Sequence, residues 1–205
     1  GTQTQSNKIG GRGLCVQDDV SVDASRILVD QNRDAGIFLV GEKAQLTLTD
    51  TIVRDTLECE SDSAFGRAIG VQEGAHLAAT RMLLERNREV GIFAGNAGTE
   101  LTLADLIVRD TKVQKSDGKF GRGIGLQEGA KLLLERAMVA RNREVGIFAI
   151  SKGTSLSLTD TEIFNTLPIE CRTSDSTTEN CTYVAGNPLG AGIGLGIFGS
   201  ASVTG

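Results

Sequence analysis

An eight-residue phrase occurs three times at equal intervals. It reads Gln31-Asn32-Arg33-Asp34-Ala35-Gly36-Ile37-Phe38, then Arg86-Asn87-Arg88-Glu89-Val90-Gly91-Ile92-Phe93, then Arg141-Asn142-Arg143-Glu144-Val145-Gly146-Ile147-Phe148. A chain that restates itself at a fixed period builds an array of like units. Residues 1–205 therefore read as one domain, a piece of a longer array or one whose ends stack on another copy. Glycine landmarks mark the same period: Gly11-Arg12-Gly13, Gly66-Arg67-Ala68 and Gly121-Arg122-Gly123, with Gly190-Ala191-Gly192 as a degraded fourth.

Each unit splits into two similar halves, set apart by a shorter and a longer offset in turn. Leu77 to Asn87 answers Leu101 to Thr111 across the shorter offset, and the longer one carries a loop. Short alternating apolar stretches bounded by Gly or Asn are strand signals, and helical periodicity is absent. A module of about 24 residues with three such stretches has room for one three-sided coil of a parallel β-helix. About six and a half coils fit, with loops at 57–67, 112–122 and 167–191. The expected fold is all-β, a right-handed three-sided solenoid.

Charge tests that alignment. Coils stack about 4.7–4.9 Å apart, so like charges in one column would repel. The columns alternate instead. One reads Arg26, Asp50, Arg81, Asp105, Arg136, Asp160; another Asp30, Arg54, Glu85, Arg109; a third Gln31, Asp55, Arg86, Asp110, Arg141, Asn165. Three apolar columns form the expected core: Leu14, Ile37, Ile69, Ile92, Ile124, Ile147, Ile193; Val22, Leu46, Leu77, Leu101, Leu132, Leu156; and Val29, Val53, Leu84, Val108, Val139, Ile163. A corner column alternates Asn32, Thr56, Asn87, Thr111, Asn142, Thr166, whose side chains suit backbone groups left unpaired at a turn. The column Leu28, Ile52, Leu83, Ile107, Met138, Glu162 neighbours the third core column. Either the chain bends so that both are buried, or one face carries an exposed apolar stripe.

The sequence resembles the right-handed parallel β-helix proteins of the pectate-lyase-like superfamily, through Arg-Asn-Arg-Glu-Val-Gly-Ile-Phe and Gly-Arg-Gly-Ile-Gly-Leu-Gln-Glu-Gly-Ala. In style it is similar to repetitive β-helix proteins encoded in myxobacteria and related bacteria. The resemblance implies the architecture and, for an enzyme, a site on the first-strand face built from acidic residues, often with calcium, and an arginine or lysine base. The outward columns there are Cys15, Phe38, Gly70, Phe93, Gly125, Phe148, Gly194 and Gln17, Val40, Gln72, Gly95, Gln127, Ile150, Gly196. They hold no carboxylate cluster, so no catalytic residue is assigned. The phenylalanines are expected to be covered, with Phe65 and Phe120 as candidate lids. Left open, Phe38, Phe93 and Phe148 with Gln17, Gln72 and Gln127 would make a binding face.

Glu58, Glu60 and Asp62 in the first loop read as solvated charge, with a weak calcium site as the alternative. Glu73 and Glu128 lie two coils apart, a spacing that any repeat produces by chance. Cys171 and Cys181 bracket a Ser/Thr-rich insertion that a local disulfide would clamp. Cys15 and Cys59 depart together from the repeat, standing where it has Gly70, Gly125 and Gln114, which suggests a second bridge; two thiols remain the alternative. Bridges imply an oxidising setting: outside the cell, at its surface or in the periplasm. His76 is the only histidine, and the cysteine spacings fit no zinc pattern. No metal or other cofactor is expected.

With 21 Lys and Arg against 26 Asp and Glu, there is no basic tract for nucleic acid. No apolar run reaches the ~20 residues of a membrane helix. The resulting expectation is a non-catalytic, secreted or surface-displayed scaffold or adhesion module. A carbohydrate-active protein using the first-strand face is the alternative, and an end-to-end assembling filament a further one. The expected partners are a polysaccharide or another protein subunit, including lateral or end-to-end copies of the chain itself.

Overall fold

The computed structural model describes residue 2 and residues 10–169 and 192–204. The described residues form strands joined by turns, arranged as two parallel sheets. One holds β1 (Leu14–Gln17), β4 (Ala35–Val40), β6 (Arg67–Gln72), β8 (Val90–Gly95), β10 (Arg122–Leu126), β12 (Val145–Ile150) and β14 (Ile193–Phe198), in that order. The other holds β2 (Ser21–Ser25), β5 (Gln45–Arg54), β7 (His76–Glu85), β9 (Glu100–Arg109), β11 (Lys131–Ala140), β13 (Ser155–Phe164) and β15 (Ser202–Thr204), with β3 (Leu28–Asp30) also paired to β5. The chain visits the sheets alternately and climbs one rung in each, an arrangement compatible with a parallel β-helix.

Rung neighbours follow the repeat. Ile37 pairs with Leu14 and Ile69, and Ile124 with Ile92 and Ile147. Leu46, Leu77, Leu101, Leu132 and Leu156 form a continuous row in the other sheet. These rows meet in the interior, where Ile37, Ile69, Ile92, Ile124 and Ile147 are fully enclosed. Burying each such side chain contributes roughly 1.5–3 kcal/mol. The fourth unit departs from the expected alignment by two residues. Leu195, not Ile193, pairs with Ile147, and the positive-φ glycine just before the strand is Gly192.

The second and third stretches of each coil are not separate strands from β5 onward. Each ten-residue strand runs through both and is creased once, at Asp50, Arg81, Asp105, Arg136 or Asp160, all with φ between 48° and 55°. A left-handed residue inside a strand costs about 1 kcal/mol and breaks the two-residue alternation of faces. In β5, Leu46 and Leu48 point inward before the crease, and Thr51 and Val53 after it. The crease therefore adds an inward column that the sequence reading lacked: Thr51, Met82, Leu106 and Ala137 are buried. It also decides the Leu28 column, which points outward; Leu28 and Ile52 are exposed and Leu83, Ile107 and Met138 half-buried.

The crease residues carry the first charge ladder. Arg81 grips both carboxylate oxygens of Asp50 at 2.6 and 3.0 Å, and Arg136 those of Asp105 at 2.7 and 3.2 Å. At the next corner Arg86 grips Asp55 and Arg141 grips Asp110, each at 3.0 Å or less. Between these corners Arg54 reaches Asp30, and Arg109 reaches Glu85. Hydrogen bonds from their arginines hold Asp50, Asp105 and Asp110 below the ordinary carboxylate pKa. Burial pushes Glu85 up, but Arg109 and Arg86 outweigh it and leave this carboxyl below its ordinary value too.

A carboxylate with a lowered folded-state pKa binds fewer protons than its unfolded counterpart between the two values. Stability there rises with pH and is lost as pH falls through the folded value. Thermal unfolding followed by circular dichroism is thus expected to hold a constant midpoint from neutral pH to about pH 5, then to drop steadily below it. A midpoint that stays level to about pH 2 would show that the ladders contribute no stability.

The inner corner is held by amides. Asn87 accepts from Thr56 N at 3.1 Å and donates to Val53 O at 3.0 Å; Asn142 does the same with Thr111 N and Val108 O. Thr2 N donates to Asn32 Oδ1 in the manner of Thr56 and Thr111. The opposite corner has a counterpart the sequence reading missed. Thr99 and Thr154 each donate to a carbonyl four residues back and accept the amide of Gly74 or Gly129.

Candidate binding face

The outward side of the first sheet is a row of arginine–aromatic stacks. Arg67 lies 4.2 Å above the Phe93 ring and 4.9 Å from Phe65, and forks onto Glu89 with both contacts at 2.9 Å. Arg122 repeats this between Phe148 at 4.0 Å and Phe120 at 4.9 Å, paired with Glu144. Arg12 stacks on Phe38 at 3.7 Å and pairs with Asp34 at 2.9 Å, while Gly10 stands where the later units have Phe65 and Phe120.

The rings are therefore covered, but the covering group is the guanidinium. Phe65 and Phe120 close over the arginines rather than over Phe38, Phe93 or Phe148. A planar guanidinium can fork onto a carboxylate while its faces stay on two rings, and each cation–π contact contributes about 0.5–2 kcal/mol. The arrangement places an ion pair where water is largely excluded: Arg122 and Glu144 side chains are 16% and 8% exposed. Asp34, Glu89 and Glu144 are each paired with an arginine of the preceding rung.

Two pockets open beside these stacks, and they are one pocket repeated. The first, about 300 Å³, lies against Arg12, Asp34, Phe38, Phe65, Arg67 and Gln72. The second, about 200 Å³, lies against Arg67, Glu89, Phe93, Phe120, Arg122 and Gln127, each one full repeat further on. Gln72 lines the first pocket with Phe38, and Gln127 the second with Phe93. Gln17 ends β1, paired with Val40 on the same ladder. Both pockets are at or below the lower end of the range for drug-sized ligands, so each would hold one group of a larger partner.

Of the first loop's carboxylates, Glu60 and Asp62 are exposed, but Glu58 is not the solvated charge expected. Glu58 is 8% exposed and lies 3.0 Å from Arg88 Nε and 2.8 Å from Lys115 Nζ. Burial pushes its carboxyl up, but Lys115, a backbone amide and Arg88 together hold it below the ordinary value. Glu60 pairs with Arg33 at 3.1 Å. The second loop docks on the first, with Ser116 N donating to Ser63 O at 3.0 Å. Among the described residues no group of three or more His, Cys, Asp or Glu could hold a metal ion.

The expected Cys15–Cys59 bridge is absent; both residues are thiols. Cys15 is exposed on β1, whereas Cys59 is turned into its loop, with Sγ 3.3 Å from Ser61 Oγ, and lines the first pocket beside Phe38. Cys171 and Cys181 lie outside the described residues. No described helix is long and apolar enough to cross a membrane. No family model matches the chain, and neither a curated protein nor a solved structure matches it.

Proposed function

We propose that the chain is a right-handed three-sided β-helix of about six and a half coils, related in style to the pectate-lyase-like proteins, and that it serves as a non-catalytic scaffold or adhesion module. One observation carries this reading: many acids and bases of its faces are paired with one another on neighbouring rungs. Arg81 with Asp50, Arg109 with Glu85, Arg67 with Glu89 and Arg122 with Glu144 hold these carboxylates in ion pairs within the array. A stack of such rungs is stiff, and stiffness suits a spacer or a display surface. The proposed setting is outside the cell or at its surface. With Cys15 and Cys59 as thiols, the cysteine support for that setting rests on Cys171 and Cys181.

A second reading, a binder of extended polysaccharide, is favoured by the repeated pocket. Two rungs advance about 9–10 Å, close to the length of two extended β-linked sugar units, so successive pockets could meet equivalent sugars of one chain. Incubation with acidic and neutral polysaccharides, with and without calcium, separates the readings. The scaffold reading expects no turnover and no binding that depends on Phe93 or Phe148. Binding lost in Phe93→Ala and Phe148→Ala would install the second reading, and turnover abolished by substituting Glu58 or Glu60 would defeat the first.

A further inference from the structure

The outward stripe beyond the crease is flanked on both sides by charge ladders, and their signs are locked together. On each of the first four rungs the crease residue and the residue four positions on carry opposite charges. The pairs are Arg26 with Asp30, Asp50 with Arg54, Arg81 with Glu85, and Asp105 with Arg109. Between them lie only apolar outward side chains: Leu28 at 57% exposure, Ile52 at 37%, then Leu83 and Ile107, half-buried. The face is thus an apolar strip inside a checkerboard of charge. The flanking arginines Arg54, Arg81 and Arg109 keep 37%, 55% and 35% of their side chains exposed while gripping their own rungs, so they can meet a further carboxylate.

We infer that this face pairs with the same face of a second copy of the chain, with the rung order reversed, about a twofold axis that runs along the strands between the second and third rungs. The checkerboard carries the inference. Rotation about that axis sets each crease residue against one of opposite sign, Arg26 against Asp105 of the second copy and Asp50 against its Arg81. The outer column matches too, Asp30 against Arg109 and Arg54 against Glu85. Leu28 then covers Ile107 and Ile52 covers Leu83, so the strip is buried on both sides. Sliding by one rung sets like against like throughout. Sliding by two restores the crease charges but sets Leu28 against Glu162 and leaves Asp30 against Phe164 and Arg54 against Ala140, so the alignment about that axis matches best. A pair with the rung order kept would also match charges, but it would bring the two Glu162 carboxylates face to face beside the strip.

The pairing is independent of what the first sheet binds, because it uses the strand segments beyond the crease and not that sheet. The face is small: four residues of extended chain by four rungs is about 13 by 14 Å. That is well below the ~800 Å² per partner of a standard interface. The association is accordingly weak and concentration-dependent.

Sedimentation equilibrium over a concentration series reaching about 1 mM tests it. The expected result is a mass rising from monomer towards dimer, and an association weakened about tenfold or more by Ile52→Lys, with an unchanged circular dichroism spectrum. Alignment is read by oxidative trapping in a Cys15→Ser background. Ile52→Cys mixed with Leu83→Cys should cross-link well above either variant alone, and above the background. Preferential self-cross-linking of Ile52→Cys overturns the reversed alignment. A monomer at every concentration, or a dimer indifferent to Ile52→Lys, overturns the pairing itself.

Discussion

Replacing Asn142 with alanine is expected to destabilise the fold by about 3–4 kcal/mol, the loss from two buried backbone groups stripped of their partners at once. The side chain is fully enclosed and serves both as acceptor for Thr111 N and as donor to Val108 O. No water replaces it without a cavity large enough to hold one, and the vacated volume adds its own penalty. The comparison is Gln127→Ala, a half-exposed amide on the same array, expected to change stability by about 0.5 kcal/mol or less. Hydrogen exchange should place the damage, with protection lost first at Thr111 and along the adjoining corner. Equal denaturation midpoints for the two variants would show that the asparagine ladder is filler rather than a bracket.

Gly91→Ala is expected to cost about 3 kcal/mol for a different reason. A Cβ at Gly91 would stand 2.6 Å from Gly123 O on the next rung and 2.6 Å from Val108 Cγ1. Gly91 needs no unusual dihedral, so the penalty is one of space alone: the first sheet must lift away from the crease strands or a rung must slide. Gly125→Ala supplies the control, since its nearest neighbour would be Val90 Cγ2 at 3.6 Å, an ordinary contact. Its smaller unfolded-state entropy should make it neutral or slightly stabilising. Urea unfolding of the two variants side by side measures the contrast, and similar midpoints would refute the close approach.

Much of this is legible in the sequence because a repeat aligns itself. The columns through Ile37, Leu46 and Val53 and the alternation of Arg81 with Asp105 need only the two alternating offsets, and the rungs pair along them. The crease is not legible. Left-handed residues are expected to be Gly, Asn or Asp, and here every second one is arginine, so the usual signal is diluted. A trace remains in the odd spacing of the inward columns, Leu46 to Val53 and Leu77 to Leu84, which two-residue alternation cannot explain. The arginine–phenylalanine stacks escape a reading along the chain because their members lie on different rungs, Arg67 on β6 and Phe93 on β8, with Glu89 just before β8. Their signal is the joint recurrence of Arg12, Asp34 and Phe38 with Arg67, Glu89 and Phe93, two fixed spacings that return together. The Cys15–Cys59 expectation rests on coincident departures in sequence, which say nothing about which way a loop side chain turns.

The alternation of sign at the crease has a consequence for how such a molecule can grow. Duplicating one half-unit would leave an arginine facing an arginine, or an aspartate facing an aspartate, at the seam. Duplicating a whole unit, such as Arg81 to Arg136 encloses, would not. The length of the molecule is therefore quantised in doublets, and an engineered extension by a single half-unit should fold poorly where one by a full doublet succeeds.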